Sequence, residues 1–373
     1  MSRIDASSLG RAAGLASSGG RAVNDVRHWA RCYEDWVLDA LGVTSQEARS
    51  QPWVHAYLKV SDHIQSLEAS GRATSGSETE LELGVRALVF GQRTYLLALR
   101  LGVGTDGEGT EKFVDVGAGT GGLACAAVLG GARKVELYDL GRREVELGRR
   151  VVGAAVKDLG VDVRIDAFAR GMPEVEPDST YGFGFCWNEL PREERDAWFR
   201  AWQGKRTGSL WLLEPGTRRS STGLMELRDR AVDWVVAPCR AAEQCPRRAS
   251  NDWCHFTWNM GFGPTATWIM QKAGRRAHRL HCSYLQLQPA PSLQAGLYRV
   301  LDCRPGKVAR VELCGAEGGR RVTAPRARVV GLRELLKAKE AHQLVELQGD
   351  WGQRAEQLEP RSGAAIVSRG TSL

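Results

Sequence analysis

The stretch Phe113-Val-Asp-Val-Gly-Ala-Gly-Thr-Gly-Gly122 decides the fold of this chain. An apolar strand runs through the carboxylate of Asp115 into a glycine-rich turn, and the run from Leu123 to Leu129 has helix-forming composition. A strand–turn–helix unit of this kind opens a doubly wound α/β sheet. Its glycines let a ligand lie against the backbone with no Cβ in the way. The spacing of Gly117, Gly119 and Gly122 also meets the ordinary dinucleotide fingerprint, so the glycines by themselves do not choose a cofactor. Asp115, two residues ahead of Gly117, tilts the choice. A carboxylate there repels a pyrophosphate and favours the ammonium and sulfonium of S-adenosylmethionine.

The next apolar segment, Lys134-Val-Glu-Leu-Tyr-Asp139, ends in an acid. It stands about twenty residues past the turn, where a ribose diol is held. Asp166 closes the strand-like Val161-Asp-Val-Arg-Ile-Asp166 and fits the acid that sits by the adenine amino group in many methyltransferases. The expected cofactor-binding set is therefore Asp115, Gly117, Gly119, Gly121, Gly122, Asp139 and Asp166. A nicotinamide or flavin site ranks behind S-adenosylmethionine, and a glycine loop that only turns the chain ranks last.

Around this unit the pattern alternates strand and helix from Lys112 onward, as in a parallel α/β sheet. Strands are expected at Phe113 to Val116, Lys134 to Tyr138, Val161 to Ile165, Tyr181 to Cys186 and Ser209 to Leu213. Upstream, Trp29, Cys32, Tyr33, Trp36, Val37 and Leu41 recur at helical steps. Segments 53–67 and 80–101 read as further amphipathic helices. Downstream, Arg218 to Val236 reads as a long helix, Tyr298 to Val330 as short strands, and Leu332 to Leu347 as a charged helix. The expected division is a flexible 1–22, a helical region 23–104 and a Rossmann-like core 105–236. A cysteine-rich metal insertion with a returning strand (237–290), a small β unit plus helix (291–352) and a flexible tail (353–373) follow.

At 373 residues the chain can bury a large core. No apolar run has the length of a membrane span, so no membrane contact is expected, and the chain is read as a monomer. The net charge of +7 permits an anionic partner such as RNA without demanding one. Nine cysteines, an odd number with no secretory signal ahead of them, disfavour a disulfide framework. The Ser-, Gly-, Ala- and Arg-rich start resembles a mitochondrial transit segment as much as a floppy bacterial N-terminus. The corresponding compartments are the mitochondrial matrix and the bacterial cytoplasm.

Three cysteines crowd together: Cys239, Cys245 and Cys254. Their gaps lack the close pairs of a structural zinc site. Iron–sulfur clusters accept looped spacings, and a proline after a ligand cysteine, as at Pro246, suits them. A [4Fe–4S] cluster is the first reading, zinc the second, unligated thiols the third. The fourth ligand is open between Cys282, Cys303 and Cys314, and His255 could serve a zinc site. Cys32, Cys125 and Cys186 read as small buried hydrophobes.

Several blocks together resemble one family, the ribosomal small-subunit methyltransferase-like proteins, found in mitochondria as assembly factors and in bacteria as relatives. These are Val114-Asp-Val-Gly-Ala-Gly-Thr-Gly, Asn188-Glu-Leu-Pro, Leu213-Glu-Pro-Gly-Thr217 and the helix with Arg228. Ala237-Pro-Cys-Arg, Cys245-Pro, Cys254-His-Phe, Ser283-Tyr-Leu and Leu313-Cys-Gly complete them. The resemblance covers roughly Lys112 to Trp351. It implies a Rossmann-like methyltransferase domain, S-adenosylmethionine binding, association with small-subunit rRNA and an iron–sulfur site. Carried over, that site falls on Cys239, Cys245, Cys254 and Cys314. The N-terminal part matches loosely, and an Arg-rich turn follows Thr217 where the family has a shorter link.

Methyl transfer asks the protein to align an acceptor and, for some acceptors, to remove a proton. Base-modifying amino methyltransferases carry an Asn/Asp-Pro-Pro-aromatic turn after the fourth strand. Here the position reads Cys186-Trp-Asn188-Glu-Leu-Pro191, which places Asn188 and Glu189 as candidate catalytic residues without that amino-group cradle. Glu189 reads equally as a helix-start carboxylate, and Glu214 carries the same ambiguity. Two functions follow: an RNA-associated assembly factor whose cofactor and cluster stabilise a platform, or a working methyltransferase on rRNA, a protein or a small molecule.

Overall fold

The computed structural model describes residues 25–70, 79–104, 110–205, 208–238, 245–249, 252–259, 261–275, 279–289, 297–315, 318–325, 327–338, 344–349, 351–354, 357–361 and 363–368. The chain divides into two compact units: Met1–Trp211 with Met260–Ala277, and Leu212–Asn259 with His278–Leu373. Among the described residues no helix is long and apolar enough to cross a membrane.

The first unit begins with helix α1 (Val26–Leu41), whose N-cap Asp25 accepts from the His28 N–H at 3.0 Å. Left-handed Gly42 ends it. A capping box of Thr44 and Glu47 then starts α2 (Ser45–Ala48), ahead of α3 (Gln51–Ser70). Tyr33, Trp36 and Val37 are buried, so the stripe read from the sequence is a core face. The helix expected over 80–101 is present but not regular. It runs as α4 (Glu80–Val85), a turn of π-helix (Arg86–Gly91) and α5 (Gln92–Leu101).

Next come β1 (Lys112–Val116), α6 (Gly122–Leu129), β2 (Lys134–Asp139), α7 (Arg142–Leu159), β3 (Arg164–Ala169), β4 (Ser179–Gly184) and α8 (Arg192–Lys205). The strands are parallel in the order β3-β2-β1-β4. A strand with neighbours on both sides and helices on both faces needs apolar residues throughout. Phe113, Val114 and Val116 meet that need and are buried. Since β1 lies between β2 and β4, the winding reverses beside it, which is where open α/β sheets take ligands.

The helical region packs on the helices that cover this sheet. Trp36 Nε1 donates to Asp158 Oδ2 at 3.0 Å and Arg150 Nη1 to the Ala40 carbonyl at 2.8 Å, tying α1 to α7. A distant segment completes the unit. The helix Pro264–Lys272 has no side-chain cap of its own, and the buried carboxylate of Glu34 supplies one. Glu34 accepts from the Thr265 N–H at 2.9 Å and the Ala266 N–H at 3.2 Å. Gln92 Oε1 accepts from the Gly263 N–H at 2.8 Å beside it.

In the second unit, β5 (Leu210–Pro215), which crosses the boundary between the units, enters from the first and α9 (Arg218–Arg230), β6 (Val235–Ala237), α10 (Pro246–Ala249), β7 (Phe256–Asn259) and β8 (Arg279–Leu287) follow. β8 neighbours β5 and pairs antiparallel with β6 and β7. The helix expected over 218–236 therefore stops at Arg230. Val235 and Val236 are β-branched, and tertiary pairing with β8 claims them.

A seven-stranded sheet fills the rest: β9 (Leu297–Arg304), β10 (Val308–Gly315), β11 (Gly318–Pro325), β12 (Leu344–Gln348), β13 (Trp351–Arg354), β14 (Gln357–Pro360) and β15 (Ala365–Ser368). Its order is β13-β14-β11-β10-β9-β12-β15. The helix α11 (Leu332–Ala338) closes the core formed by Val300, Val311, Leu313, Val322 and Val345. Two expectations are corrected. The charged helix ends at Ala338, and Leu344–Gln348 is a strand between β9 and β15. The tail expected to lack structure supplies β14 and β15, whose Leu358 and Ile366 are buried in that core.

Candidate functional site

After β1 the chain turns through Gly117, Gly119 and Gly121, with φ of 64°, 50° and 81°, and α6 starts at Gly122. Side chains rarely tolerate that left-handed region. At Gly117 the need is also steric, because a Cβ would stand 2.7 Å from the Cβ of Cys186. Gly119 differs. A Cβ there would meet nothing within 4 Å, so the backbone borders open space that a ligand can take.

Asp139, the last residue of β2, reaches this loop. Its Oδ2 accepts from the Gly119 N–H at 2.8 Å and its Oδ1 from the Gly141 N–H at 2.7 Å. Each carboxylate oxygen has two lone pairs, so two acceptor positions remain for a pair of hydroxyls. Burial raises the pKa of Asp139, against the pull of the two N–H donors and the nearby charge of Arg86.

Asp115 is placed differently from the expectation. It is 1% exposed, beneath the loop rather than facing a ligand, and its Oδ2 accepts from the Ala124 N–H at 3.0 Å in the first turn of α6. Burial pushes its pKa from the usual 3.8 to about 8, and the Asp139 charge adds to the shift. Asp115 therefore braces the helix start, and Asp139 is the more open of the two acids.

Asp166 does not join the group. β3 begins at Arg164, three residues later than read, so Asp166 lies mid-strand opposite Glu136, while Asp139 pairs with Ala169 at the strand end. Three residues of strand are about 10 Å. Its carboxylate is engaged by Arg164 Nε at 3.0 Å and Lys134 Nζ at 3.7 Å.

β4 stops at Gly184, and Phe185 then adopts φ 64°, a strained position for a bulky residue. The Arg93 guanidinium lies over the Phe185 ring, 4.2 Å from its centroid. Cys186, read as a buried hydrophobe, is half-buried at the loop and its thiol donates to the Val116 carbonyl at 3.0 Å. Trp187–Glu189 form a 3-10 turn. Asn188 Oδ1 accepts from Arg195 Nη1 at 3.0 Å, and Glu189 is exposed. Phe185, Cys186 and the two arginines Arg86 and Arg93 carry no motif. Gly117, which leaves room for Cys186, is the one signal that could have pointed to them.

The second unit gathers the other conspicuous blocks. The Gly216 N–H donates to the His281 carbonyl at 3.1 Å, so close that a Cβ on Gly216 would meet the His281 backbone at 2.9 Å. Thr217 caps α9, accepting from the Ser220 N–H. Ser283 Oγ donates to the Cys254 carbonyl, and Asp229 Oδ1 accepts from the Cys245 N–H at 2.7 Å. Cys245 and Cys314 are each 3% exposed and Cys254 is half-buried.

Arg247 stands among these thiols. Burial opposes its charge, but Cys254, Asp252, Cys314 and Glu312 act on it and hold its pKa above the usual value. Its guanidinium pairs with carboxylates, Nη1 with Asp252 Oδ2 at 2.8 Å and Nη2 with Glu312 Oε2 at 3.6 Å. Cys239 lies outside the described residues. Among the described residues no group of three His, Cys, Asp or Glu side chains converges as a metal site, so the four-cysteine arrangement expected from the resemblance is not assembled there.

No curated protein matches the chain. Among solved structures it is similar to magnesium protoporphyrin IX methyltransferase from Synechocystis, with 14% identity, 63% of this chain and 100% of that one covered, and a TM-score of 0.31. It is also similar to ribosomal protein L11 methylase from Lactobacillus delbrueckii, with 14% identity, 54% and 80% covered, and a TM-score of 0.29. Mitomycin 7-O-methyltransferase gives 15% identity, 65% and 70% covered, and a TM-score of 0.35. A family model described as mitochondrial small ribosomal subunit Rsm22 matches residues 110–321. That span is more than half of the chain and takes in the glycine loop, the Glu-Pro-Gly-Thr block and all four cysteines, and the chain accordingly belongs to the Rsm22 family.

Proposed function

We propose that this chain is a methyltransferase-like protein that binds S-adenosylmethionine and associates with small-subunit ribosomal RNA. The observation that carries the cofactor reading is the bracket between Asp139 and Gly119, which sets an acid with spare acceptor positions beside open loop backbone. Membership of a family described as a small ribosomal subunit protein supports the partner, and the mitochondrial matrix is its fitting compartment.

S-adenosylmethionine supplies a methyl group already activated by its sulfonium. The chain's own residues would do the rest. Gly117, Gly119, Gly121 and Gly122 let the amino-acid part lie on the backbone, and Asp139 would hold the ribose hydroxyls. Asn188, steadied by Arg195, would orient an acceptor, and the exposed Glu189 would take its proton. Cys239, Cys245, Cys254 and Cys314 would hold an iron–sulfur cluster, or zinc as the alternative. The support is that all four cysteines fall within the span matched by the family model.

Full-length protein titrated with S-adenosylhomocysteine is expected to show saturable one-to-one binding, and to sediment with isolated small subunits. Binding of nicotinamide dinucleotides in its place would overturn the cofactor reading. Protein purified without air is expected to contain iron and sulfide, and the Cys254→Ser variant to lose most of both. Equal metal content in the two proteins would withdraw the ligand assignment.

A further inference from the structure

The π-helical turn Arg86–Gly91 forms one wall of the same site. Such turns recur where function demands a local departure from regular helix. Its last residue is docked on the glycine loop. A Cβ on Gly91 would stand 2.6 Å from Thr120 Oγ1, and a Cβ on Gly122 would stand 2.6 Å from the Gly91 carbonyl oxygen. No slack separates turn and loop, so the turn holds its side chains at fixed places over the strand ends.

Two of those ends carry an arginine. Arg93 covers Phe185 just past β4, and Arg86 lies within electrostatic reach of Asp139 at the end of β2. Asp139 attracts Arg86 by charge alone, and its hydrogen bonds run to the Gly119 and Gly141 N–H groups. Arg86 Nε is buried and has no hydrogen-bond partner among the described residues. A buried donor in that state is costly to the fold, and an acceptor from a ligand would recover the loss.

Resting on the cofactor reading above, we infer that Arg86 binds the carboxylate of the amino-acid part of S-adenosylmethionine. That carboxylate is the ligand's one anionic group, and a guanidinium matches it with two parallel hydrogen bonds. Arg93 adds positive charge from the β4 side. The Asp139 carboxylate, the glycine backbone and Arg86 then each take a different part of the ligand: ribose, chain and acid.

The test compares S-adenosylhomocysteine with 5′-methylthioadenosine, which shares the nucleoside but lacks the amino acid. Full-length wild type, Arg86→Gln and Arg86→Lys are titrated with both. Arg86→Gln is expected to weaken S-adenosylhomocysteine by about 10- to 100-fold, the range of a charge-assisted hydrogen bond. Its affinity for 5′-methylthioadenosine should stay within about twofold, and Arg86→Lys should fall between. Unchanged S-adenosylhomocysteine binding, or an equal loss of both ligands, overturns the inference and leaves the cofactor reading standing. A wild type that binds neither ligand overturns the two together.

Discussion

Asp139→Ala is expected to lower the affinity for S-adenosylhomocysteine at least about 100-fold. The carboxylate has two tasks in this site. It holds the loop through Gly119 and the β2–α7 turn through Gly141, with bonds of 2.8 and 2.7 Å, and its remaining lone pairs are those the proposed ribose contact would use. A hydrogen bond to a charged group contributes about 1.5–3 kcal/mol, so losing two to the ligand already accounts for two orders of magnitude. Loss of the loop contacts adds to this, because Gly119 would no longer be held open. Calorimetric titration gives the answer directly. Binding within about threefold of wild type would remove Asp139 from the site.

Asp115→Asn should change the pH dependence of stability more than any other substitution at the loop. The folded carboxyl titrates near 8, against 3.8 for an exposed aspartate, because it is buried. The folded chain keeps a proton that the unfolded chain has released. Its stabilising contribution is therefore full below about pH 4 and is lost as pH rises through 8. About four pH units at 1.36 kcal/mol each give an effect on the order of 5 kcal/mol. Asparagine cannot ionise, yet its carbonyl can still accept from the Ala124 N–H. Glu34 and Asp139 are shifted in the same direction by burial, so a smaller slope should persist in the variant. Denaturant unfolding from pH 4 to pH 9 measures both profiles. If they run parallel, Asp115 is ionised in the folded protein and the burial argument fails.

The sheet and its glycine loop were legible because they rest on local signals. Strand, turn and helix follow one another within residues 113–129, and the acid of β2 lies where the crossover length puts it. Positions set by register were not legible. Asp166 looked terminal because Val161-Asp-Val-Arg-Ile alternates, but left-handed Gly160 ends α7 and the strand starts only at Arg164. The charge of Asp115 was visible and its burial was not, since burial comes from α6 folding back over β1. Arg86 was hidden for another reason: a π turn leaves the apolar period of residues 80–101 almost unchanged while redirecting the side chains within it. The cysteine segment had chemistry without geometry, and its first thiol, Cys239, lies outside the described residues.

Glu34 and the helix it caps lie more than two hundred positions apart along the chain. A ribosome making this protein delivers α1 early and the partner helix only after most of the seven intervening strands have left the exit tunnel. Until then a carboxylate meant for a dry interior stays wet, and the wall behind the glycine loop is one helix short. The unit that holds the glycine loop, though encoded first, is finished late, and the nascent chain lacks this completed wall until its second unit is under construction.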